Sequence, residues 1–106
     1  MRIAGFDWDE ANWPKCGRHG LSKAEVEAVV SGEPLVLPDR SPQDAETRFN
    51  AVGRTAEGRY AFVVYTLRTR GGEALVRPIS ARYMHRKEIE HYERQKAAAA
   101  IPEVRD

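Results

Sequence analysis

The sequence predicts an α+β domain. A small antiparallel sheet, a three-strand meander plus one short strand, packs with an N-terminal and a C-terminal helix. Three observations carry this. Strand-like runs over 46–54, 59–68 and 74–82 are separated by short turns, which leaves no room for the helical crossovers of a parallel sheet. The segment Ser22-Lys23-Ala24-Glu25 is a capping box that opens a helix ahead of them. A charged, alanine-rich segment from His85 closes the chain with good helix formers.

Taken in order, Arg2–Trp8 reads as a short strand or an extended lead-in. Asp9–Cys16 is ambiguous, because Pro14 and Gly17 break any long helix there. The first helix is expected from Lys23 to about Val30, with Leu21, Val26, Val29 and Val30 on its apolar side. Gly32 ends it and Pro34 blocks a restart. Leu35-Val36-Leu37 is the short apolar strand, and Pro38–Ala45 is a polar loop. In 46–54, Phe49 and Ala51 take one face while Glu46, Arg48 and Asn50 take the other. The run 59–68 is apolar on both faces, as a central strand should be. Its alternation places Phe62, Val64, Thr66 and Arg68 opposite Ala61, Val63, Tyr65 and Leu67. Arg70-Gly71-Gly72-Glu73 is a hairpin turn. In 74–82, Ser80 and Arg82 share a face, with Leu75, Ile79 and Ala81 on the other. The last helix is expected from His85 to about Ala99, with a loose tail over 102–106, so that residues 1–101 form one domain.

The chain has 106 residues and one cysteine. Such a length suits one domain, which buries about two thirds of its unfolded surface without staples. The longest strongly apolar run, Ala61–Leu67, is far short of the roughly 20 residues of a membrane helix. No signal peptide is visible, and the lone Cys16 fits a reducing, cytoplasmic setting. The net charge of +1 hides an asymmetry. Residues 1–47 carry five basic and nine acidic residues, net −4; residues 48–94 carry ten basic and five acidic, net +5. Nine of those ten are arginine, whose planar fork suits phosphate. The arginine-rich half is therefore a candidate polyanion surface, or else a solvated face paired with the acidic half.

The chain has no phosphate-binding loop, no glycine-rich dinucleotide motif and no Gly-x-Ser-x-Gly elbow, which disfavours nucleotide-cofactor enzymes and serine hydrolases. Cys16 and His19 have half of a zinc spacing, with no second cysteine and no histidine pair to complete it, so no metal site is expected. His19 is either a loop residue bonded to backbone or a proton-transfer group. His85 and His91 read as surface residues.

Several short motifs, in order, resemble the BrnT family of bacterial type II toxins. They are Phe6-Asp7-Trp8-Asp9, Arg18-His19-Gly20-Leu21-Ser22, Glu46-Thr47-Arg48-Phe49, Val52-Gly53-Arg54, Gly58-Arg59, Val63-Val64-Tyr65-Thr66-Leu67-Arg68, and Arg77-Pro78-Ile79-Ser80-Ala81-Arg82 with Glu88 and Tyr92. The resemblance implies a small endoribonuclease with a RelE-like fold, neutralised by a BrnA-like antitoxin, which would make any contact with DNA indirect. It implies that His19, Arg68 and Arg82 lie in the active site together with Glu46, and that Arg18, Arg48, Tyr65 and Arg77 contact RNA. The chain departs from the family pattern at Pro14 and Gly17, which shorten the helix before the His-Gly motif, and at Lys23, where a phenylalanine is usual.

A ribonuclease that needs no cofactor requires a base for the 2′-hydroxyl, positive donors for the phosphorane-like charge and an acid for the leaving 5′-oxygen. Arg68 and Arg82 suit the second role. His19 suits the first or the third, and Glu46 is a second candidate base. A non-catalytic module that docks nucleic acid or a partner protein in a repressor complex is the competing reading. Within one meander Arg68 and Arg82 are not obvious neighbours, so a further element has to complete any shared site.

Overall fold

A computed structural model describes residues 3–38 and 47–100. Glu46, the expected loop over 39–45 and the tail over 102–106 lie outside the described residues. Five strands form one sheet: β1 (Ile3–Phe6), β2 (Leu35–Pro38), β3 (Phe49–Arg54), β4 (Tyr60–Arg70) and β5 (Glu73–Tyr83), in the order β1-β5-β4-β3-β2. A one-turn helix α1 (Trp13–Cys16) runs into a 3-10 turn over Gly17–His19. Helix α2 spans Lys23–Ser31 and α3 spans Arg86–Ala100. No helix among the described residues is long and apolar enough to cross a membrane.

The expected meander is present, with β2, β3, β4 and β5 antiparallel in sequence order. Gly71 and Gly72 close the β4–β5 hairpin at φ 57° and 81°, the positive values its two-residue turn demands. The expectation of a purely antiparallel sheet is corrected by β1, which pairs parallel to β5 through Ile3, Gly5 and Phe6 against Ala74, Leu75 and Val76. Four residues are too few to show an alternation, and their partner lies about 70 positions downstream, so the pairing left no local signature.

A second correction concerns faces. Val64 opposes Ser80 but Tyr65 opposes Pro78, so Ile79 is an extra residue in β5. Pro78 has no N–H for the ladder, which makes a bulge a tolerable place for it. Everything before the bulge changes side. Val76 and Pro78 join Ala81 in the buried layer, while Leu75 and Arg77 move to the face of Ser80 and Arg82.

One face, the core face, packs Ala51, Ala61, Val63 and Ala81 against Leu21, Val26 and Val29. The small strand residues let α2 come close. A side chain at Gly53 would meet Pro34 Cβ at 3.3 Å and Val29 Cγ1 at 3.5 Å. The capping box forms as expected: Ser22 Oγ accepts from the Glu25 amide at 3.1 Å, and Glu25 Oε1 accepts from the Ser22 amide at 2.8 Å. The opposite face carries the even-numbered side chains of β4, among them Phe62, Thr66 and Arg68. Helix α3 reaches this face through Tyr92, whose ring meets that of Tyr60 edge-on at 5.4 Å.

Candidate active site

Arg82 stands on the second face near the exit of β5, directly across from Phe62. Its guanidinium lies 5.2 Å from the Phe62 ring centroid, and Glu88 in the first turn of α3 grips it from the other side. Arg82 Nη1 donates to Glu88 Oε1 at 2.8 Å and Nη2 to Oε2 at 2.7 Å, a two-point clamp. Glu88 Oε1 also accepts from the His85 amide at 2.9 Å. Arg82 and that amide together pull the Glu88 carboxyl down to about 2. The clamp fixes the guanidinium while the Arg82 side chain as a whole stays 37% exposed.

Arg68 projects from the same face, across from Leu75, six residues along β4 from Phe62. At ~3.3 Å per residue that is about 20 Å from Arg82, too far for one phosphate to touch both. Arg68 lines a shallow pocket of about 440 Å³ with Thr47, Phe49, Thr66 and Leu67. Arg48 sits half-buried just ahead of β3. Tyr65 is turned to the core face, stacked on Phe49 at 5.4 Å, and burial pushes its hydroxyl pKa up.

Arg77 is largely withdrawn from solvent, at 14% exposure. It donates to Asp7 Oδ2 at 3.2 Å and to both Asp9 oxygens at 3.0 and 3.1 Å. Arg70 adds a longer contact of 3.4 Å to Asp7. The network ties the segment after β1 to β5, beside the Asp7 amide's own 2.8 Å bond to the Val76 carbonyl. Arg77 holds the Asp9 carboxyl below its usual range. Two carboxylates already occupy this guanidinium.

Arg18 and His19 lie exposed in the 3-10 turn, which Gly20 closes at φ 101°. A β-carbon on Gly20 would lie 3.7 Å from the Tyr83 ring, so the turn rests on the side of β5 that Tyr83 faces. Tyr83 opposes Ala61 and packs with the core, on the face opposite Arg82. There it belongs to a polar cluster that sequence reasoning missed. Its hydroxyl donates to Glu25 Oε2 at 2.9 Å, and the Arg59 guanidinium lies 3.4 Å from its ring centroid. The Ser22 amide and the Tyr83 hydroxyl together lower the Glu25 pKa, while burial and Glu25 raise that of Tyr83. Cys16 is fully buried, and burial pushes its thiol to about 11.

The structure thus sets Arg68 and Arg82 on one face but well apart, and places the His19 turn against the other side of the same strand end. Arg82 and Tyr83, consecutive in sequence, flank that end. A fixed, partly exposed guanidinium on one side can bind a phosphate, and a hydrogen-bonded Tyr–Glu pair on the other, near the turn that carries His19, offers groups for proton transfer. The partners Glu88, Asp7 and Asp9 carried a faint signal in the sequence. Glu88 lies six residues after Arg82 in a helix's first turn, and Asp7 and Asp9 are two apart in an extended segment. Glu25 was already accounted for as half of the capping box, which concealed its second oxygen.

Residues 8–88 match a family model described as "Ribonuclease toxin, BrnT, of type II toxin-antitoxin system". No curated protein matches the chain. The matched span takes in the Arg18–His19 turn, strands β2 to β5 and Glu88.

Proposed function

The chain belongs to the BrnT family of ribonuclease toxins of type II toxin–antitoxin systems, and on that premise we propose that it cuts RNA internally without a metal ion. The 2′-hydroxyl attacks the adjacent phosphorus, the P–O5′ bond breaks, and the products are a 2′,3′-cyclic phosphate and a 5′-hydroxyl. The observation that supports this best is the clamped, partly exposed Arg82 at the exit of β5. Its Nη1 and Nη2 each give a hydrogen to Glu88, so contact with the charge that builds on the non-bridging oxygens falls to the remaining guanidinium hydrogens. The proton-transfer role falls to His19, which lies across the end of β5 from Arg82, so a shared site requires the Gly17–His19 turn to swing round that end. Glu46 stays a second candidate for base. Arg68, on the neighbouring strand β4, holds a second phosphate, and Arg18 and Arg48 add to the footprint. Tyr65 and Arg77 contribute by packing and by pairing. The RelE-like fold, neutralisation by a BrnA-like antitoxin, DNA contact only through that antitoxin and a cytoplasmic location are parts of the same proposal.

The test is purified chain, an RNA cleavage gel and circular dichroism. Arg82→Ala is expected to abolish cleavage in a folded protein. Full cleavage by the folded variant would reject the assignment. A wild-type chain that binds RNA without cutting it would favour the docking-module reading.

A further inference from the structure

Helix α3 does not lie flush on the sheet. Between it and the outer strands is an open apolar groove of about 500 Å³, lined by Leu35, Leu37, Val52, Phe62, Met84 and Tyr92. Its outer wall is β2, one of the two edges of the sheet. Leu35, Val36 and Leu37 are 37%, 41% and 46% exposed there, and β2 reads Leu-Val-Leu-Pro with no charge in it. Edge strands are normally guarded by charge, by a bulge or by a cover. Among the described residues β2 has none of these three, and its guards are its length of four residues and Pro38 at its end.

We propose that this groove and the outer edge of β2 form the docking site for the antitoxin, which adds an extended segment to β2 and sets alternate apolar side chains into the groove. This rests on the family reading, which supplies a protein partner, and goes further by naming the surface. Three features favour such an occupant. Among the described residues nothing pairs with the outer edge of β2, whose backbone groups offer hydrogen bonds that only a polypeptide can continue along the sheet. The floor and walls are apolar, which suits the alternate apolar side chains of an extended segment. The rim carries one basic residue, Lys87, while Glu88 is paired with Arg82, so acidic residues flanking the segment would be attracted. Phe62 forms the floor of the groove and also carries the Arg82 guanidinium, so an occupant here sits beside the proposed catalytic arginine.

The test uses the full chain and the antitoxin co-expressed with it. The double variant Leu35→Asp/Leu37→Asp is expected to weaken antitoxin binding, followed by calorimetry, at least about 30-fold. RNA cleavage by the free toxin should stay unchanged. Amide exchange on the wild-type complex is expected to show new protection at Leu35–Leu37, which does not depend on the variant folding. Unchanged affinity in a folded double variant, or no protection of β2 in the complex, would overturn the proposal. So would loss of RNA cleavage with the fold intact, which assigns the groove to substrate. A free chain that self-associates through β2 while antitoxin affinity stays unaltered in the variant would overturn it in favour of a homodimer. A wild-type chain that does not cut RNA yet binds antitoxin through β2 would strike the enzymatic reading alone.

Discussion

Arg82 and Glu88 form a two-point clamp of 2.8 and 2.7 Å across the corner between β5 and α3. This pair sets both the orientation of the proposed phosphate-binding group and the seating of α3. The Arg82→Lys variant separates charge from shape. It keeps the charge but loses the planar fork. Cleavage is expected to fall about 10²–10³-fold, the usual loss for one transition-state donor, while circular dichroism stays unchanged. Near-wild-type rates in Arg82→Lys would show that a point charge suffices.

Glu88 also predicts an acid dependence. Its carboxyl is depressed from 4.5 to about 2 in the folded chain, so its contribution is fully present above the unfolded value. It is lost as pH falls from about 4.5 toward 2. The pair is 37% exposed on both sides, so solvent screening limits the effect to about 0.5–1 kcal/mol. Melting temperatures measured from pH 2 to pH 6 should fall less steeply in Glu88→Gln than in the wild type. Identical slopes would contradict this role.

Arg77 is expected to matter for stability rather than for RNA affinity. In Arg77→Ala the buried Asp7 and its neighbour Asp9 lose their shared cation, at a cost of about 2–4 kcal/mol. Urea unfolding midpoints test this. An unchanged midpoint together with weaker RNA binding would place Arg77 at the substrate instead.

Arg68 is expected to behave in the opposite way. Its exposed position on the second face predicts an Arg68→Ala variant with near-wild-type stability and weaker RNA binding. The slope of log affinity against log salt should become shallower by about 0.7, the value for one single-strand phosphate contact. A slope equal to the wild type's would exclude such a contact.

Much of this fold could be read locally. The capping box at Ser22, the glycine pair in the hairpin and the central-strand character of 59–68 each rest on chemistry within a few residues, and each took the expected form. The bulge at Ile79 could not be read that way. Alternation inside β5 says nothing of the strand beside it, so a one-residue offset against β4 changed the side on which Leu75 and Arg77 lie. The candidate site was legible as a list of arginines and a histidine. Their separation was not, since it depends on where along β4 each partner falls and on which side of β5 the Gly17–His19 turn comes to rest.

By itself the chain determined its helix start, its meander and the excess of arginine in its second half, because caps, turns and alternation act between neighbours in sequence. Tertiary structure alone decided that β1 would run parallel to β5, that Arg77 would be paired with Asp7 and Asp9 and largely withdrawn from solvent while Arg82, paired with Glu88, stayed partly exposed, and that β2 would be an apolar edge with no partner on its outer side among the described residues. Those outcomes come from packing residues tens of positions apart into one sheet, and an interaction between such distant partners leaves no periodic trace in either segment.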